Sequence, residues 1–344
     1  MIPTTMLAAV YQAGNDNPVL DQNYPIRDLE PNEILIRVAA AGVCHTDVTL
    51  LTGVILDTRK YVLGHEGCGF PVKLGSQVDS NAVQIGKLYS ILLADSCTHG
   101  LNGGPAMFET IGLGKDGVYA EYVIATADAL IPVPDGVPPE VAAIASDAGV
   151  TAYHAVQNAA KVKPGDKVLI FGIGGLGHLA VQYAKHFGAT VYACDFKPAA
   201  RKLALELGAA EAFDLIDLNN KTAAGFTVDT TIDFVANNQT FNLAMAAVKG
   251  NDVNFPSTPK VVMVGVSAEN LVFSTLDIIG SGAQILGSTY GPPSALVAAL
   301  ELFSKGIVRA HVETEPLENI GKVINELRSF EIIGRKVVIP PKSA

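Results

Sequence analysis

The sequence predicts an α/β protein that has a doubly wound parallel sheet and a second domain rich in β-strands. Its 344 residues exceed what one ordinary hydrophobic core holds, so two domains are expected. Short runs of Val, Ile and Tyr dominate residues 1–150. From about residue 150, strand-like and helix-like segments alternate, which is the pattern of a parallel sheet covered by helices.

The candidate strands of the first half are short and are bounded by Gly, Pro or Asp, which favours twisted strands joined by turns. They are residues 33–39 (EILIRVA), 87–93 and 118–124. Residues 95–117 form a glycine-rich, polar excursion that is longer than a usual connection.

The second half is predicted to begin with two buried strands, 167–171 (KVLIF) and 190–194 (TVYAC), each followed by a helix, 176–187 and 198–207. The stretches AEAFDL, VDTTIDFVA, KVVMVGV and QILGSTY continue the series. Two helices, 294–304 and 317–328, and a last strand, 336–339, follow in a tail that could return to the first domain. We therefore expect one domain of residues 1–149 and 290–344 and another of residues 150–289.

The composition excludes several classes of protein. Hydrophobic residues make up 49% of the chain and charged residues 17%, so a large core is available and disorder is not expected. The formal net charge of −10 makes nucleic acid a poor partner. No signal peptide or membrane span is evident, because the longest apolar run, 168–181, is rich in glycine and contains His178. The four scattered cysteines predict free thiols in a reducing, cytoplasmic compartment, or metal ligands.

The sequence FGIGGLG at 171–177 predicts a dinucleotide site, because it follows a strand and opens a helix. Gly172 allows a sharp turn, Gly174 allows the backbone to approach a pyrophosphate, and Gly177 allows the helix to pack close to the strand. The helix N-terminus then offers free N–H groups to the phosphates. The alternative is a glycine-rich turn that binds nothing.

An acidic residue, Asp195, ends the second predicted strand 18 residues after Gly177. A carboxylate there accepts hydrogen bonds from an adenosine ribose and repels a 2′-phosphate, which favours NAD over NADP. Lys197 and Arg201 follow closely and weaken this preference, since a nearby cation can accommodate the extra phosphate.

Cys44 and His65, in GVCHTDVT and GHEGCG, suit a borderline-soft ion such as zinc. The chain contains no C-x-x-C pair, so a zinc site here is expected to be open, with ligands far apart in sequence and a third ligand still to be found. For either residue alone, a buried thiol or a core histidine is the simpler interpretation.

The motifs taken together resemble a known family. They are GVCHTD, GHEGCG, SDAGVTAYHA (146–155), FGIGGLG with Asp195, VGV (264–266) and GRKVVI (334–339). In this order they are similar to the zinc-dependent alcohol dehydrogenases of the medium-chain dehydrogenase/reductase superfamily, over essentially the whole chain. The resemblance implies a Rossmann cofactor domain and a GroES-like catalytic domain. It also implies interconversion of alcohols with aldehydes or ketones by hydride transfer to NAD(H).

The resemblance assigns Asp147 as the third zinc ligand, at a position where cysteine is commoner in the family. Glu66 would ligate the zinc transiently, and Asp47 would accept a hydrogen bond from His65. Thr46 corresponds to the hydroxyl that relays the proton. In many members that relay continues through a histidine, but this chain has Thr49 at the position.

The resemblance also assigns residues to the cofactor. His45 and Arg335 correspond to positions that pair with the pyrophosphate, and Gly175 belongs to the glycine turn. Thr151 and Leu176 correspond to residues behind the nicotinamide ring, and Val266 to one near its amide.

The 95–117 segment retains one cysteine, Cys97, where many members bind a structural zinc with four, so no structural zinc is expected. The partners expected are a small-molecule alcohol, aldehyde or ketone and further copies of the chain, as a homodimer or homotetramer. Three alternatives remain open: a polyol dehydrogenase of the same fold, a zinc-free quinone or enone reductase, and a non-enzymatic NAD-binding protein.

Overall fold

The computed structural model describes residues 2–54, 57–93, 109–248, 258–267 and 269–341. The strands of these residues, in chain order, are β1 Thr5–Tyr11, β2 Val19–Pro25, β3 Glu33–Gly42, β4 Tyr61–Val62, β5 Gly67–Leu74, β6 Tyr89–Ile91, β7 Thr110–Ile111, β8 Gly114–Lys115, β9 Tyr122–Thr126, β10 Leu130–Pro132, β11 Lys167–Phe171, β12 Thr190–Cys194, β13 Glu211–Phe213, β14 Thr230–Asp233, β15 Lys260–Met263, β16 Gln284–Gly287, β17 Val312–Pro316 and β18 Arg335–Ile339.

The α-helices of the same residues are α1 His45–Leu51, α2 Pro139–Ile144, α3 Val150–Tyr153, α4 Gly177–His186, α5 Pro198–Leu207, α6 Leu215–Ala223, α7 Asn238–Ala247, α8 Thr275–Ser281, α9 Pro293–Ser304 and α10 Ile320–Arg328. Two π-helical turns, Ala145–Gly149 and His154–Ala159, flank α3. Among the described residues, no helix is both long enough and apolar enough to cross a membrane.

The chain divides into two compact units. The first consists of Met1–Asp147, Leu296–Ser304 and Val312–Ala344, and the second of Ala148–Ala295 and Lys305–His311. The tail after residue 290 therefore contributes to both units, and Lys305–His311 belongs with the second.

The first unit is built mainly from antiparallel strands. Its largest sheet has the order β10-β6-β5-β3-β18-β17, with β9 also paired to β3. Strands β3 and β5 run antiparallel with Ala41 opposite Gly67, so the end of β3 lies beside the start of β5. This register places the residues just after β3 next to the residues just before β5.

The second unit contains a parallel sheet of order β13-β12-β11-β14-β15-β16. Here β11 and β12 end side by side, with Phe171 opposite Cys194. Its core includes the fully buried Leu169, Phe171 and Leu218, and burying each such side chain stabilises the fold by about 1.5–3 kcal/mol. The loops that follow β11 and β12 therefore emerge together at the carboxyl edge, where doubly wound sheets bind ligands.

The predicted fold class is confirmed: a parallel, helix-covered sheet is combined with a β-rich unit. The predicted strand 33–39 extends to Gly42, whereas the prediction at 87–93 shortens to Tyr89–Ile91. Of the 95–117 segment, residues 95–108, and with them Cys97, lie outside the described part.

Candidate metal centre and dinucleotide turn

Three potential metal ligands converge in the first unit. A ligand atom of Cys44, one of His65 and one of Asp147 all lie within 4.8 Å of one another. Cys44 and His65 are buried, and Asp147 is partly exposed. In the part of the chain that the structure describes, one group of three His, Cys or acidic side chains is arranged so that it could hold a metal ion, and it is this one.

The sheet register brings the first two ligands together. Cys44 follows the end of β3 and is the N-cap residue of α1, whereas His65 precedes β5, which pairs with β3. Gly64, just before His65, has a φ of +95°, a conformation that favours glycine. The turn at Gly64 thereby directs the imidazole toward the end of β3.

The third potential ligand, Asp147, is positioned by the helical segment α2 and the π-helical turn that continues it. The Gly67 N–H donates to the Ser146 hydroxyl at 3.0 Å, and that hydroxyl donates to the Ala143 carbonyl at 2.7 Å. Asp147 is the next residue and lies in the π-helical turn, a feature that is frequent at functional sites. Its carboxylate Oδ2 lies 3.7 Å from Nε2 of His65.

Asp47 stands behind His65. Its Oδ1 lies 3.2 Å from Nδ1 of His65, although the two atoms do not reach ideal hydrogen-bond geometry. Its other oxygen, Oδ2, accepts from the Cys44 N–H at 3.1 Å and from the Tyr119 hydroxyl at 2.6 Å. Burial and the neighbouring Asp47 raise the pKa of Tyr119 well above its ordinary value, so this hydroxyl remains a donor.

The electrostatics of the site act on His65. Burial opposes its positive charge, but the negative charge of Asp47 and the nearby polar groups of Asp147 and Cys44 outweigh burial and raise its pKa well above 6.5. Without an ion, these neighbours therefore favour the protonated imidazole of His65. An ion that binds its Nε2 must displace that proton, so binding is coupled to proton release.

Glu66 and Arg335 form a buried ion pair beside this group. The Arg335 guanidinium donates to the Glu66 carboxylate and also lies 3.6 Å from Asp147 Oδ2. A side chain at Gly42 would overlap Glu66, so glycine there makes room for the carboxylate. Glu66 is not in the converging group of three, and its predicted transient ligation stays a prediction. Here Arg335 pairs with the Glu66 carboxylate. Its predicted contact with the cofactor pyrophosphate stays a prediction.

The residues of helix α1 lie next to the group. The Cys44 thiol lies 3.5 Å from the half-buried Thr46 hydroxyl. Thr49 donates its hydroxyl to the His45 carbonyl at 2.9 Å, a local bond within the helix. The exposed His45 ring stacks on Phe330 with the ring centroids 5.5 Å apart.

The donor set fits a zinc ion. Zinc ligands lie about 2.0–2.3 Å from the ion, and therefore roughly 3.5 Å from one another. The three atoms of Cys44, His65 and Asp147 lie within 4.8 Å, so small side-chain rotations bring them to that spacing. Thiolate, imidazole and carboxylate are all ligands that zinc accepts, and the set leaves a fourth position open.

In the second unit, the glycine turn has the geometry that its spacing indicates. Gly172 has a φ of +80°. A side chain at Gly177 would overlap the Gly172 carbonyl oxygen, whereas a Cβ at Gly174 would meet nothing within 4 Å. Gly174 and Gly175 are partly exposed at the start of α4, which begins after Leu176. The turn therefore leaves room for a phosphate where Gly174 stands.

Asp195 is tied directly to this turn. Its Oδ2 accepts from the Ile173 N–H at 2.7 Å and its Oδ1 from the Lys197 N–H at 2.8 Å. Arg201 donates to the carbonyls of Asp195 and Phe196 at 2.9 and 3.0 Å. The acid and the arginine are both held by backbone groups, which fixes their positions at the carboxyl edge.

The remaining predicted cofactor residues differ in exposure. Thr151 is buried in α3, whereas Val266, after β15, is 72% exposed. The sequence did not single out Tyr119, which bonds to Asp47, or Ser146, which bonds to the Gly67 N–H. It also did not indicate that His178, fully buried at the start of α4, contacts the Gly174 carbonyl. No local signal marks Tyr119, because the carboxylate that it contacts lies 72 residues earlier.

Comparison with known proteins decides the family. Residues 30–135 match the sequence model of the alcohol dehydrogenase GroES-like domain, and residues 175–305 match that of the zinc-binding dehydrogenases. An alcohol dehydrogenase of Geobacillus stearothermophilus is 34% identical over 315 residues, which are 89% of this chain and 91% of the relative. This chain belongs to the zinc-type alcohol dehydrogenase family. A second alcohol dehydrogenase of that organism is 34% identical over 330 residues, 90% of this chain and 92% of the relative.

Two solved structures superimpose closely on this chain. The acetophenone reductase of Geotrichum candidum, solved in complex with NAD, has a TM-score of 0.85 and 31% identity, and 98% of each chain is covered. The alcohol dehydrogenase of the archaeon Aeropyrum pernix also has a TM-score of 0.85 and 31% identity, covering 97% of this chain and 100% of the other.

Proposed function

We propose that this chain is an NAD(H)-linked alcohol dehydrogenase that uses one zinc ion at Cys44, His65 and Asp147. The observation that carries the proposal is the convergence of these three ligand atoms within 4.8 Å. The glycine turn with Asp195 supports it from the second unit. A relative of this chain is named alcohol dehydrogenase, and the similar acetophenone reductase was solved with NAD. Both support the proposal of alcohol oxidation linked to NAD(H).

A zinc ion at this site would supply Lewis acidity to a substrate oxygen. The side chains do the positioning and the proton transfer. Thr46 would take the alcohol proton at its Oγ1 while releasing its own hydroxyl proton to water, so that it relays the proton without a net change; its Oγ1 lies 3.5 Å from the Cys44 thiol. Asp47 orients His65, and the Glu66–Arg335 pair keeps the surroundings of Asp147 close to neutral.

The cofactor preference is proposed to be NAD over NADP. The Asp195 carboxylate sits at the end of β12, next to the glycine turn, where it would accept hydrogen bonds from ribose hydroxyls and repel a 2′-phosphate. Arg201 is already bonded to two backbone carbonyls, so it is less available to a phosphate.

We further propose a homodimer or homotetramer. Among the described residues, β16 is an edge strand of the parallel sheet, and α8 just before it carries exposed, large apolar side chains. Leu276 is 74% exposed and Ile279 is 77% exposed. A second copy of the chain would cover these side chains and the unpaired strand edge.

The test is the metal content per chain, measured together with turnover on a panel of butanol, benzyl alcohol, sorbitol and xylitol with NAD. One zinc and turnover of simple alcohols is the expected result. Turnover by protein that contains no zinc would refute the zinc site, and preference for sorbitol or xylitol would favour the polyol dehydrogenase alternative. Two zinc ions would contradict the absence of a structural zinc site. NADH binding without turnover of any alcohol or aldehyde would indicate a non-enzymatic NAD-binding protein.

A further inference from the structure

Tyr119 is a fully buried tyrosine whose hydroxyl reaches the carboxylate behind the metal centre. The hydroxyl lies 2.6 Å from Asp47 Oδ2 and 3.0 Å from the Gly42 carbonyl oxygen. A hydroxyl has one proton to donate, and the shorter contact goes to the charged acceptor, which forms the stronger hydrogen bond. Asp47 is therefore the principal partner.

The same side chain also packs on the turn that carries His65. A Cβ at Gly64 would overlap the Tyr119 ring, so the ring lies directly against that glycine. The backbone reinforces the contact, because the Val118 N–H donates to the Gly64 carbonyl at 2.8 Å and the Tyr119 N–H to the Leu63 carbonyl at 2.9 Å. The ring thus packs against the residue before His65, and the hydroxyl bonds to the carboxylate that faces the imidazole.

The hydrogen bonds of Asp47 divide between its two oxygens. Oδ2 accepts from Tyr119 and from the Cys44 N–H, which leaves Oδ1 to face Nδ1 of His65 at 3.2 Å. The carboxylate plane is fixed by the two donors on Oδ2. Without the hydroxyl, only the 3.1 Å contact with the Cys44 N–H holds that oxygen, and the carboxylate is free to turn away from the imidazole.

We propose that Tyr119 is a positioning residue of the metal centre, which holds Asp47 in the orientation that fixes His65 as a ligand. This inference rests on the proposed function, because it requires that the ion binds at Cys44, His65 and Asp147. Residues that support a metal ligand from behind commonly change metal affinity about 10- to 100-fold when they are replaced. Because Tyr119 acts one step further out, through Asp47, the lower end of that range is expected.

The experiment compares Tyr119→Phe with Tyr11→Phe. Both changes remove one buried tyrosine hydroxyl from the first unit, but that of Tyr11 donates to the Asp57 carbonyl at 2.8 Å and not to Asp47. The measurements are the zinc dissociation constant, by competition with a chelator, and the visible absorption spectrum of the cobalt-substituted protein, which reports ligand geometry. We expect Tyr119→Phe to weaken zinc binding about tenfold and to shift the cobalt bands, and Tyr11→Phe to do neither.

A double-mutant cycle with Asp47→Asn separates positioning from general packing. If Tyr119 acts through Asp47, then Tyr119→Phe has little further effect on zinc affinity in the Asp47→Asn background. Equal zinc affinity and equal cobalt spectra for Tyr119→Phe and the parent protein would overturn the inference. So would full additivity in the cycle. If Tyr119→Phe does not fold, 3-fluorotyrosine at position 119 keeps the hydroxyl and changes its donor strength, and an unchanged cobalt spectrum would then overturn the inference.

Zinc binding by the parent protein distinguishes a failure of the proposed function from a failure of the proposed role of Tyr119. A parent that binds no zinc refutes the proposed function and the role of Tyr119 with it. A parent that binds one zinc, together with a Tyr119→Phe variant that binds it equally well, refutes the role of Tyr119 alone.

Discussion

His178 links the dinucleotide turn to a distant segment of the second unit and provides a quantitative prediction. Its Nδ1 lies 2.8 Å from the Gly174 carbonyl, and its Nε2 lies 3.3 Å from the His311 N–H. Because an N–H can only donate, Nε2 is the acceptor, and Nδ1 carries the proton that is donated to Gly174. Burial is the main cause that lowers the pKa of His178 to about 4, so the imidazole is neutral in the folded protein at pH 7.

The lowered pKa makes stability depend on pH in a defined direction. Below pH 6.5 the unfolded chain binds a proton at this histidine, whereas the folded chain does so only near pH 4. The unfolded state is therefore favoured as pH falls through this window. At about 1.4 kcal/mol per pKa unit, the contribution is about 3 kcal/mol. It is fully present above pH 6.5 and lost below pH 4.

The perturbation is His178→Asn, and the control is His186→Asn, which removes an exposed histidine from the same helix. Urea unfolding is followed at pH 7 and pH 4.5 by circular dichroism and by tyrosine fluorescence, which tryptophan does not obscure because the chain has none. Other groups also titrate, so the quantity of interest is the difference between variants. Between these pH values the parent and His186→Asn should lose about 2 kcal/mol more stability than His178→Asn.

The reasoning would be refuted by equal pH dependence in the parent and in His178→Asn. An NMR titration of the histidine rings gives an independent check. The resonance that disappears in His178→Asn should remain that of a neutral imidazole down to about pH 4.5, and a midpoint near 6.5 would refute the assignment.

Three further predictions concern the two sites. Gly177→Ala should lower the melting temperature, because its Cβ would overlap the Gly172 carbonyl oxygen. Gly174→Ala should melt at the same temperature as the parent but bind NADH more weakly, because a Cβ there meets nothing in the protein. Equal melting temperatures for the two variants would contradict this prediction. Asp147→Cys keeps the ligand charge but supplies a softer, more strongly donating atom, so it should release zinc to a chelator more slowly than the parent, and no gain would reject the idea. Thr46→Val should lose most turnover while retaining zinc and NADH, with Thr49→Val as the control; near-native activity of Thr46→Val would reject the proton relay.

Local sequence determined many of the elements. The strands Lys167–Phe171 and Thr190–Cys194 and the helix Pro198–Leu207 have the bounds that were predicted. Each is an apolar run, or a segment that begins at proline, followed by glycine or an acid, so the signal lies within the element itself. The glycine turn could be recognised for the same reason, because its three glycines and its strand are neighbours in sequence.

Prediction was less accurate where a strand depends on distant partners. The predicted strand 118–124 begins instead as Tyr122–Thr126, because Val118 and Tyr119 bond to the turn at Leu63–Gly64 rather than to β3. Local propensity favoured an extended chain both at 118–119 and at 122–126. It does not specify which neighbouring segment an extended chain pairs with.

The candidate metal ligands show the same division. Cys44 and His65 stood out in the sequence, yet their spacing did not indicate Asp147, which was assigned by family resemblance. Only the tertiary structure pairs Glu66 with Arg335, 269 residues later, and Asp47 with Tyr119. The physical reason is that the sequence specifies the charge and size of each side chain, whereas the partners of that side chain depend on which strands pair and in which register. Here, the pairing of β18 with β3 brings Arg335 to Glu66. The sequence by itself determined the chemistry available to this protein, and the fold decided which groups support one another.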